Sequence, residues 1–231
     1  MSAPGFFVTG TDTGVGKTVA SCGLVRALRA EGIDAGAMKP IETGVGADGP
    51  QDAHALRRAA GNLDPLDDVC PIQLPLPAAP SVAAADAGSA LELEPIEDAF
   101  ARIAARRATV VVEGAGGLLV PIRDGLQGRG FDMADLAARL GLPLIVVARA
   151  ALGTINHTLL TLEAAASRGL DVAGVVICHC TGPLSEADAL NLAPLRGQLG
   201  DRLIAEIPPL APGAEADRNG FRLDRLLARL R

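Results

Sequence analysis

Gly10-Thr11-Asp12-Thr13-Gly14-Val15-Gly16-Lys17-Thr18 lies between a short apolar run, Phe6–Thr9, and a helical pattern over Lys17–Ala30 with apolar residues at 20, 24, 27 and 28. A strand, a glycine-rich turn and a helix opening on Lys-Thr form a phosphate-binding loop. The glycines let backbone N–H groups curl around phosphate oxygens, the lysine neutralises the β- and γ-phosphates, and the threonine hydroxyl serves Mg²⁺. The helix N-terminus adds a partial positive charge. The general pattern is G-x-x-x-x-G-K-[ST]. Here five residues separate Gly10 from Gly16, because Thr11 stands where the pattern asks for glycine. The strand-loop-helix context carries the assignment despite that mismatch. The stretch predicts binding of a nucleoside triphosphate with Mg²⁺.

The remainder alternates in the same way. Strands are expected at Asp34–Met38, Thr109–Val112, Pro143–Ala148, Val172–Cys178 and Leu203–Ile207. Helices are expected at Asp52–Ala60, Glu94–Arg107, Asp132–Leu140, Thr154–Arg168, Leu184–Leu199 and Arg222–Leu230. The Pro-rich stretch Asn62–Ser81 reads as loop with little regular structure. Alternation of this kind implies parallel pairing with right-handed crossovers. The expected fold is α/β: one P-loop NTPase-like, doubly wound, mainly parallel sheet with helices on both faces, forming a single domain over residues 1–231. Ligands in such sheets sit at the carboxyl ends of the strands.

Composition agrees. Apolar residues make up 49% of the 231, but aromatics only 2%, so the core must be Val, Leu, Ile and Ala. Too few rings remain to stack single-stranded nucleic acid. A net charge of −6 disfavours DNA and anionic membranes as partners. Met1-Ser2-Ala3-Pro4 leads into the first strand without a basic leader, and no segment has the length and apolarity of a bilayer span. Cys22, Cys70, Cys178 and Cys180 include no CxxC pair. In Cys178-His179-Cys180 a strand places the two thiols on one face and the imidazole on the other, which favours free thiols over a metal site. Reduced thiols point to the cytoplasm.

Two further segments carry chemistry. In Val110-Val111-Val112-Glu113-Gly114-Ala115-Gly116-Gly117 an acid follows a buried strand and glycines follow the acid, as suits a carboxylate near Mg²⁺. In Ala37-Met38-Lys39-Pro40-Ile41-Glu42-Thr43-Gly44 a lysine ends the second strand at the same sheet edge. Composition by itself favours a solvated lysine there.

Taken together with Asp52, Gly153-Thr154-Ile155-Asn156-His157 and Glu206-Ile207-Pro208, these segments resemble the dethiobiotin synthetases over nearly the whole chain. The five-residue spacing of the loop is similar to that family's own. The resemblance implies an ATP-dependent ligase. CO₂ and 7,8-diaminononanoate form a carbamate, the carbamate attacks the γ-phosphate of ATP, and the second amine closes a cyclic urea, releasing phosphate. It implies Lys39 and Lys17 as catalytic cations, and Thr18, Asp52 and Glu113 around Mg²⁺. Nucleotide contacts fall to Thr13, Gly14, Val15, Gly16, Lys17, Thr18, Val19, Asp52, Glu113, Gly114, Ala115, Gly116, Cys178, Pro208, Pro209 and Leu210. Thr13, Lys39, Thr43, Gly153, Thr154 and Asn156 fall to the substrate. The Asn156-His157 strip corresponds to a homodimer interface at which one subunit completes the other's site, with His157 structural or orienting rather than a base.

Two positions depart from the pattern. Gly14 stands where some members carry an acid. Cys178 stands where an amide often reads the base, and a thiol is a poor substitute. That predicts relaxed base discrimination. Two other classes share such loops: amidating synthetases of the cobyrinic acid type, which append a glutaminase domain, and partition or cell-division switch ATPases. The switch proteins carry a signature lysine where this loop has Asp12. Membrane-binding versions also end in a basic amphipathic helix, which Arg222, Arg225, Arg229 and Arg231 beside Leu223, Leu226, Leu227 and Leu230 could imitate; a docked terminal helix fits the acidic chain better.

Overall fold

A computed structural model describes residues 4–123, 130–180, 182, 184–211, 214 and 220–230. Met1, Ser2, Ala3 and Arg231 lie outside the described residues. Six strands form one parallel sheet: β1 (Gly5–Gly10), β2 (Ala35–Met38), β5 (Thr109–Gly117), β8 (Leu144–Arg149), β9 (Val172–Cys178) and β10 (Leu203–Ile207). Their spatial order is β10-β9-β8-β1-β5-β2. The order reverses at β1, which has β5 on one side and β8 on the other, so a crevice opens at its carboxyl end. The loop Thr11–Gly16 sits there and leads into α1 (Lys17–Ala30).

Alternation along each strand builds two cores. Phe7, Val110, Val112, Leu144, Val146 and Ile177 face one side. They meet α5 (Glu94–Arg106), α6 (Met133–Leu140), α7 (Thr154–Ser167) and α8 (Glu186–Leu199). Phe6, Val8, Val111, Ile145, Val147 and Val176 face the other, against α1, α2 (Gln51–Ala59) and α9 (Asp224–Leu227). Each fully buried Val or Phe is worth about 1.5–3 kcal/mol. This is the doubly wound sheet with helices on both faces that the sequence pattern predicts.

The structure differs in four places. The Pro-rich stretch contains α3 (Leu66–Val69), β4 (Ile72–Leu74) and the start of α4 (Pro80–Asp86). β4 pairs in parallel with a small strand, β3 (Ile41–Thr43). Buried Asp64 and Asp68 pin this stretch to α5 through Arg102, Arg106 and Arg107. Glu113 does not end its strand: β5 continues through the glycines to Gly117, which pairs with Gly10 after an irregularity in register. A two-stranded ribbon, β6 (Pro121–Arg123) with β7 (Phe131–Asp132), precedes α6, whose N-terminus is closed by a reciprocal Asp132–Asp135 capping box. The terminal helix is one turn rather than nine residues, and it is docked: Leu226 is fully buried, and Arg222 binds the backbone carbonyls of Leu203 and Gly200. No helix among the described residues is long and apolar enough to cross a membrane.

Candidate active site

The loop is shaped by backbone conformations that only glycine adopts cheaply. Gly14 and Gly16 have φ of +71° and +92°. A Cβ on Gly16 would also stand 2.4 Å from the Cys178 sulfur, so no side chain fits. Gly16 is the N-cap of α1 and brings no side-chain acceptor, leaving the N–H groups of the first helical turn directed at the crevice. Lys17 leaves the first turn of α1 and folds back to donate to the Asp12 carbonyl at 3.2 Å. Burial first, and Lys39 next, lower its pKa.

Register brings the other charges together. Met38 pairs with Val112, so the residues that follow each, Lys39 and Glu113, emerge side by side. Lys39 Nζ donates to Glu113 Oε1 at 2.6 Å and lies 3.0 Å from Asp52 Oδ2. The Thr18 hydroxyl donates to the same Glu113 oxygen at 3.0 Å. Lys39 and Glu113 are buried, whereas the Asp52 carboxylate is partly open to solvent. Burial opposes the Lys39 ammonium, but the Glu113 charge, then Asp52, outweigh it and raise its pKa. Burial works against the Asp52 carboxylate as well, yet Lys39 holds its pKa below the ordinary value. The solvated Lys39 that composition favours is therefore not what the fold makes.

A cavity of about 380 Å³ joins these groups. Its walls include Thr13, Gly14, Gly16, Lys17, Thr18, Val19, Lys39, Thr43, Asp52, Glu113, Ala115 and Gly116. Val15 is buried beneath the loop. Glu113 Oε2 is buried without a hydrogen-bond partner. An orphaned carboxylate oxygen beside Thr18 and Asp52 is the oxygen-rich donor set that suits Mg²⁺.

Other predicted residues lie outside this cavity. Cys178 ends β9 beside Ile207 of β10, and His179 N donates to the Ile207 carbonyl, so Pro208, Pro209 and Leu210 leave the sheet next to Cys178. Burial pushes the Cys178 thiol up to about 12. His179 turns away to Glu206, which also binds Arg196. Gly153, Thr154 and Asn156 form the first turn of α7, with Thr154 buried and Asn156 exposed. They line neither the first cavity nor a second one of about 420 Å³, whose walls include Thr11, Asp12, Thr13, Leu119, His157 and Leu160. Thr13 is common to both cavities.

Three residues of the first cavity, Ile41, Glu42 and Cys180, escape sequence reasoning, and two of them make polar contacts. Glu42 accepts from the backbone N–H groups of Asp52 and Ala53. Burial raises its pKa against those bonds. A signal existed: α2 begins after Pro50, which cannot cap it. Cys180 donates its thiol hydrogen to the Gly14 carbonyl at 3.2 Å, which only the approach of the β9 end to the loop reveals.

A parallel sheet that reverses at β1, with a phosphate loop at that point, defines a P-loop nucleoside triphosphatase fold. The family model described as an AAA domain matches residues 4–216. A ParA family ATPase from Chlorobium tepidum superposes with a TM-score of 0.52 at 13% identity, covering 99% of this chain and 90% of that one. The cell division protein FtsY of Thermotoga maritima gives 0.51 at 15%, covering 99% and 68%. These likenesses speak for the fold alone. Sequence relatives are more specific. The ATP-dependent dethiobiotin synthetase of Anaeromyxobacter dehalogenans (strain 2CP-C) is 55% identical over 78% of each chain. That of Anaeromyxobacter sp. (strain Fw109-5) is 41% identical over 98% of each, and that of Xanthomonas oryzae pv. oryzae (strain PXO99A) 42% identical over 97% of this chain and all of its own. The chain belongs to the ATP-dependent dethiobiotin synthetase family.

Proposed function

We propose that this chain carboxylates 7,8-diaminononanoate and closes its ureido ring with ATP, giving dethiobiotin, ADP and phosphate. The observation that carries this reading is the buried Lys39 cation, 2.6 Å from Glu113 and 3.0 Å from Asp52, on the wall of the phosphate-loop cavity. A simple hydrolase needs to position only a water. Here a second fixed cation beside Lys17 suits an anionic nucleophile, the carbamate, brought up to a γ-phosphate.

Phosphoryl transfer asks mainly for positioning and charge neutralisation. The loop amides and Lys17 would hold the β- and γ-phosphates. Lys39 would hold the carbamate oxygens, with Thr43 on the same wall. Thr18, Asp52 and Glu113 would hold Mg²⁺, which when bound draws charge from the phosphate oxygens. The last step is attack of the second amine on the carbamic-phosphoric anhydride. No side-chain nucleophile is required. The base would lie against Cys178 and Pro208–Leu210. Thr154 and Asn156 lie apart from the cavity, and a homodimer would let the partner's α7 complete the substrate site. We place the chain as a single domain acting in the cytoplasm.

One assay tests the proposal. Purified protein with Mg-ATP, bicarbonate and the diamine should release phosphate only when the diamine is present, with the cyclic urea seen by mass spectrometry. Phosphate release indifferent to the diamine, without cyclic urea, would reject the synthetase assignment and leave the phosphate loop standing.

A further inference from the structure

We infer that Glu42 is a positioning residue that fixes Asp52 and thereby sets how strongly the magnesium form of the nucleotide is held. The inference rests on the proposed placement of Asp52 at the Mg²⁺-nucleotide.

The first-turn N–H groups of a helix lack intrahelical acceptors. At α2 the preceding residue, Pro50, offers no side-chain acceptor. Glu42 supplies acceptors for two of these groups from another element. Its Oε1 accepts from Asp52 N at 3.0 Å and its Oε2 from Ala53 N at 2.9 Å. Two bonds from one planar carboxylate fix the helix end in depth and rotation, and charge on the acceptor strengthens each. Glu42 is 7% exposed, held on β3 opposite Gln73 of β4.

An ordinary cap at position 50 would satisfy the same donors. The present arrangement does more, because Lys39 and Glu42 belong to one short segment and both grip residue 52. Lys39 takes its carboxylate at 3.0 Å, and Glu42 takes its backbone N–H. The two contacts form a clamp that sets where Asp52 Oδ2 stands relative to Thr18 and Glu113. Loss of a residue that orients a metal ligand commonly weakens metal binding by about 10–100-fold.

Calorimetric titration of ADP, with Mg²⁺ and again with chelator, gives the factor by which the metal tightens binding. In Glu42→Ala that factor should fall about tenfold or more, while the metal-free Kd stays near the wild-type value. Glu42→Gln keeps one acceptor and should fall between. Asp52→Asn should lose as much as Glu42→Ala, and the double variant no more than either, since residues acting through one another do not add. A wild-type factor in Glu42→Ala, or full additivity in the double variant, overturns the inference while a sensitive Asp52→Asn keeps the proposed placement. An Asp52→Asn factor equal to wild type removes that placement and the inference with it. Should Glu42→Ala fail to fold, the near-isosteric Glu42→Gln decides, and a wild-type factor there counts against the role.

Discussion

Lys39 Nζ lies 2.6 Å from Glu113 Oε1, with the lysine side chain 5% exposed and the glutamate fully buried. Neither charge could stay in that place alone, because an unpaired ion out of water costs several kcal/mol. The pair therefore holds the carboxyl ends of β2 and β5 together and keeps a cation fixed at the wall of the cavity. Thr18 shares the same glutamate oxygen, which ties the pair to the phosphate loop.

Lys39→Ala should separate these roles. Turnover to dethiobiotin should fall by about 10²–10³-fold, the scale for losing one preorganised charge-stabilising group. ADP should still bind, because the loop amides and Lys17 remain. Stability without ligand should drop by about 3 kcal/mol, since Glu113 is left buried and unpaired. Synthesis assays, calorimetry and urea melts read the three effects. Full synthesis in this variant would remove Lys39 from the chemistry.

The two lysines titrate in opposite directions. Burial, then Lys39, lowers the pKa of Lys17 below 10.5, while Glu113 and Asp52 raise that of Lys39 above it. The stabilisation from Lys39 is fully present below 10.5 and is lost only as pH rises through its raised value. Lys17 behaves inversely: its discharge in the folded state begins below 10.5 and adds stability as pH rises. The alkaline weakening of ADP binding should therefore begin below 10.5 and follow Lys17. Lys17→Arg, charged throughout, should bind less tightly at neutral pH but lose that limb. A limb unchanged in Lys17→Arg would assign it elsewhere.

Strong local signals were legible in the residues. Val172–Cys178 and Leu203–Ile207 are strands to the residue, because each is a dense run of apolar side chains between turns. The phosphate loop was legible because its glycines, lysine and threonine are consecutive. What escaped depends on contacts across the chain. β3 and β4 have three residues each, too few to show a period, and exist because they pair with each other. Gly114–Gly117 lie beyond the expected strand, yet they continue it, with Gly117 pairing with the main chain of Gly10. Glu42 escaped as a functional residue because its partners are backbone N–H groups; the hint was Pro50, which leaves α2 without a side-chain cap of its own.

Arg106 joins the Pro-rich stretch to α5, with Nε on Asp64 at 3.0 Å and Nη2 on Asp68 at 2.6 Å. Both aspartates are buried, whereas Arg106 is partly exposed. Arg107 keeps two hydrogen bonds to Asp64 and Arg102 one to Asp68, so Arg106→Ala should cost about 2 kcal/mol, less than a buried pair broken outright. Amide exchange should quicken around Leu66–Leu74 before it does in β1 or β5. Uniform exchange across the chain would mean that this network does not hold the stretch locally.

Cys178 presents its sulfur to Gly16, and a thiol cannot make the paired hydrogen bonds of an amide. ATP should therefore lead CTP and GTP by less than about a hundredfold in kcat/KM, a difference of about 2.7 kcal/mol. Competition among the three triphosphates at fixed diamine measures it. A larger ATP preference would locate base recognition in backbone groups near Pro208–Leu210 instead.

The face carrying α7 exposes apolar side chains. Leu152 is 73% exposed, Leu160 55% and Leu119 51%, in a chain that buries most of its other leucines. Leu119 and Leu160 line the second cavity together with His157. Exposed apolar side chains gathered beside a cavity mark an interaction surface more often than scattered ones do. A second copy of the chain is the expected occupant, because Thr154 and Asn156 adjoin this face while lying outside the phosphate cavity. Leu160→Glu would place a charge in the covered area, and truncating or charging a central apolar contact commonly costs about 2 kcal/mol or more of association. Light scattering at micromolar concentration should then find a dimer for the parent chain and a monomer for the variant. Synthesis should fall with dissociation and recover at high protein concentration, while ADP affinity, set by groups within one chain, stays unchanged. A monomeric variant that keeps full synthesis would show that the substrate site is complete in a single subunit.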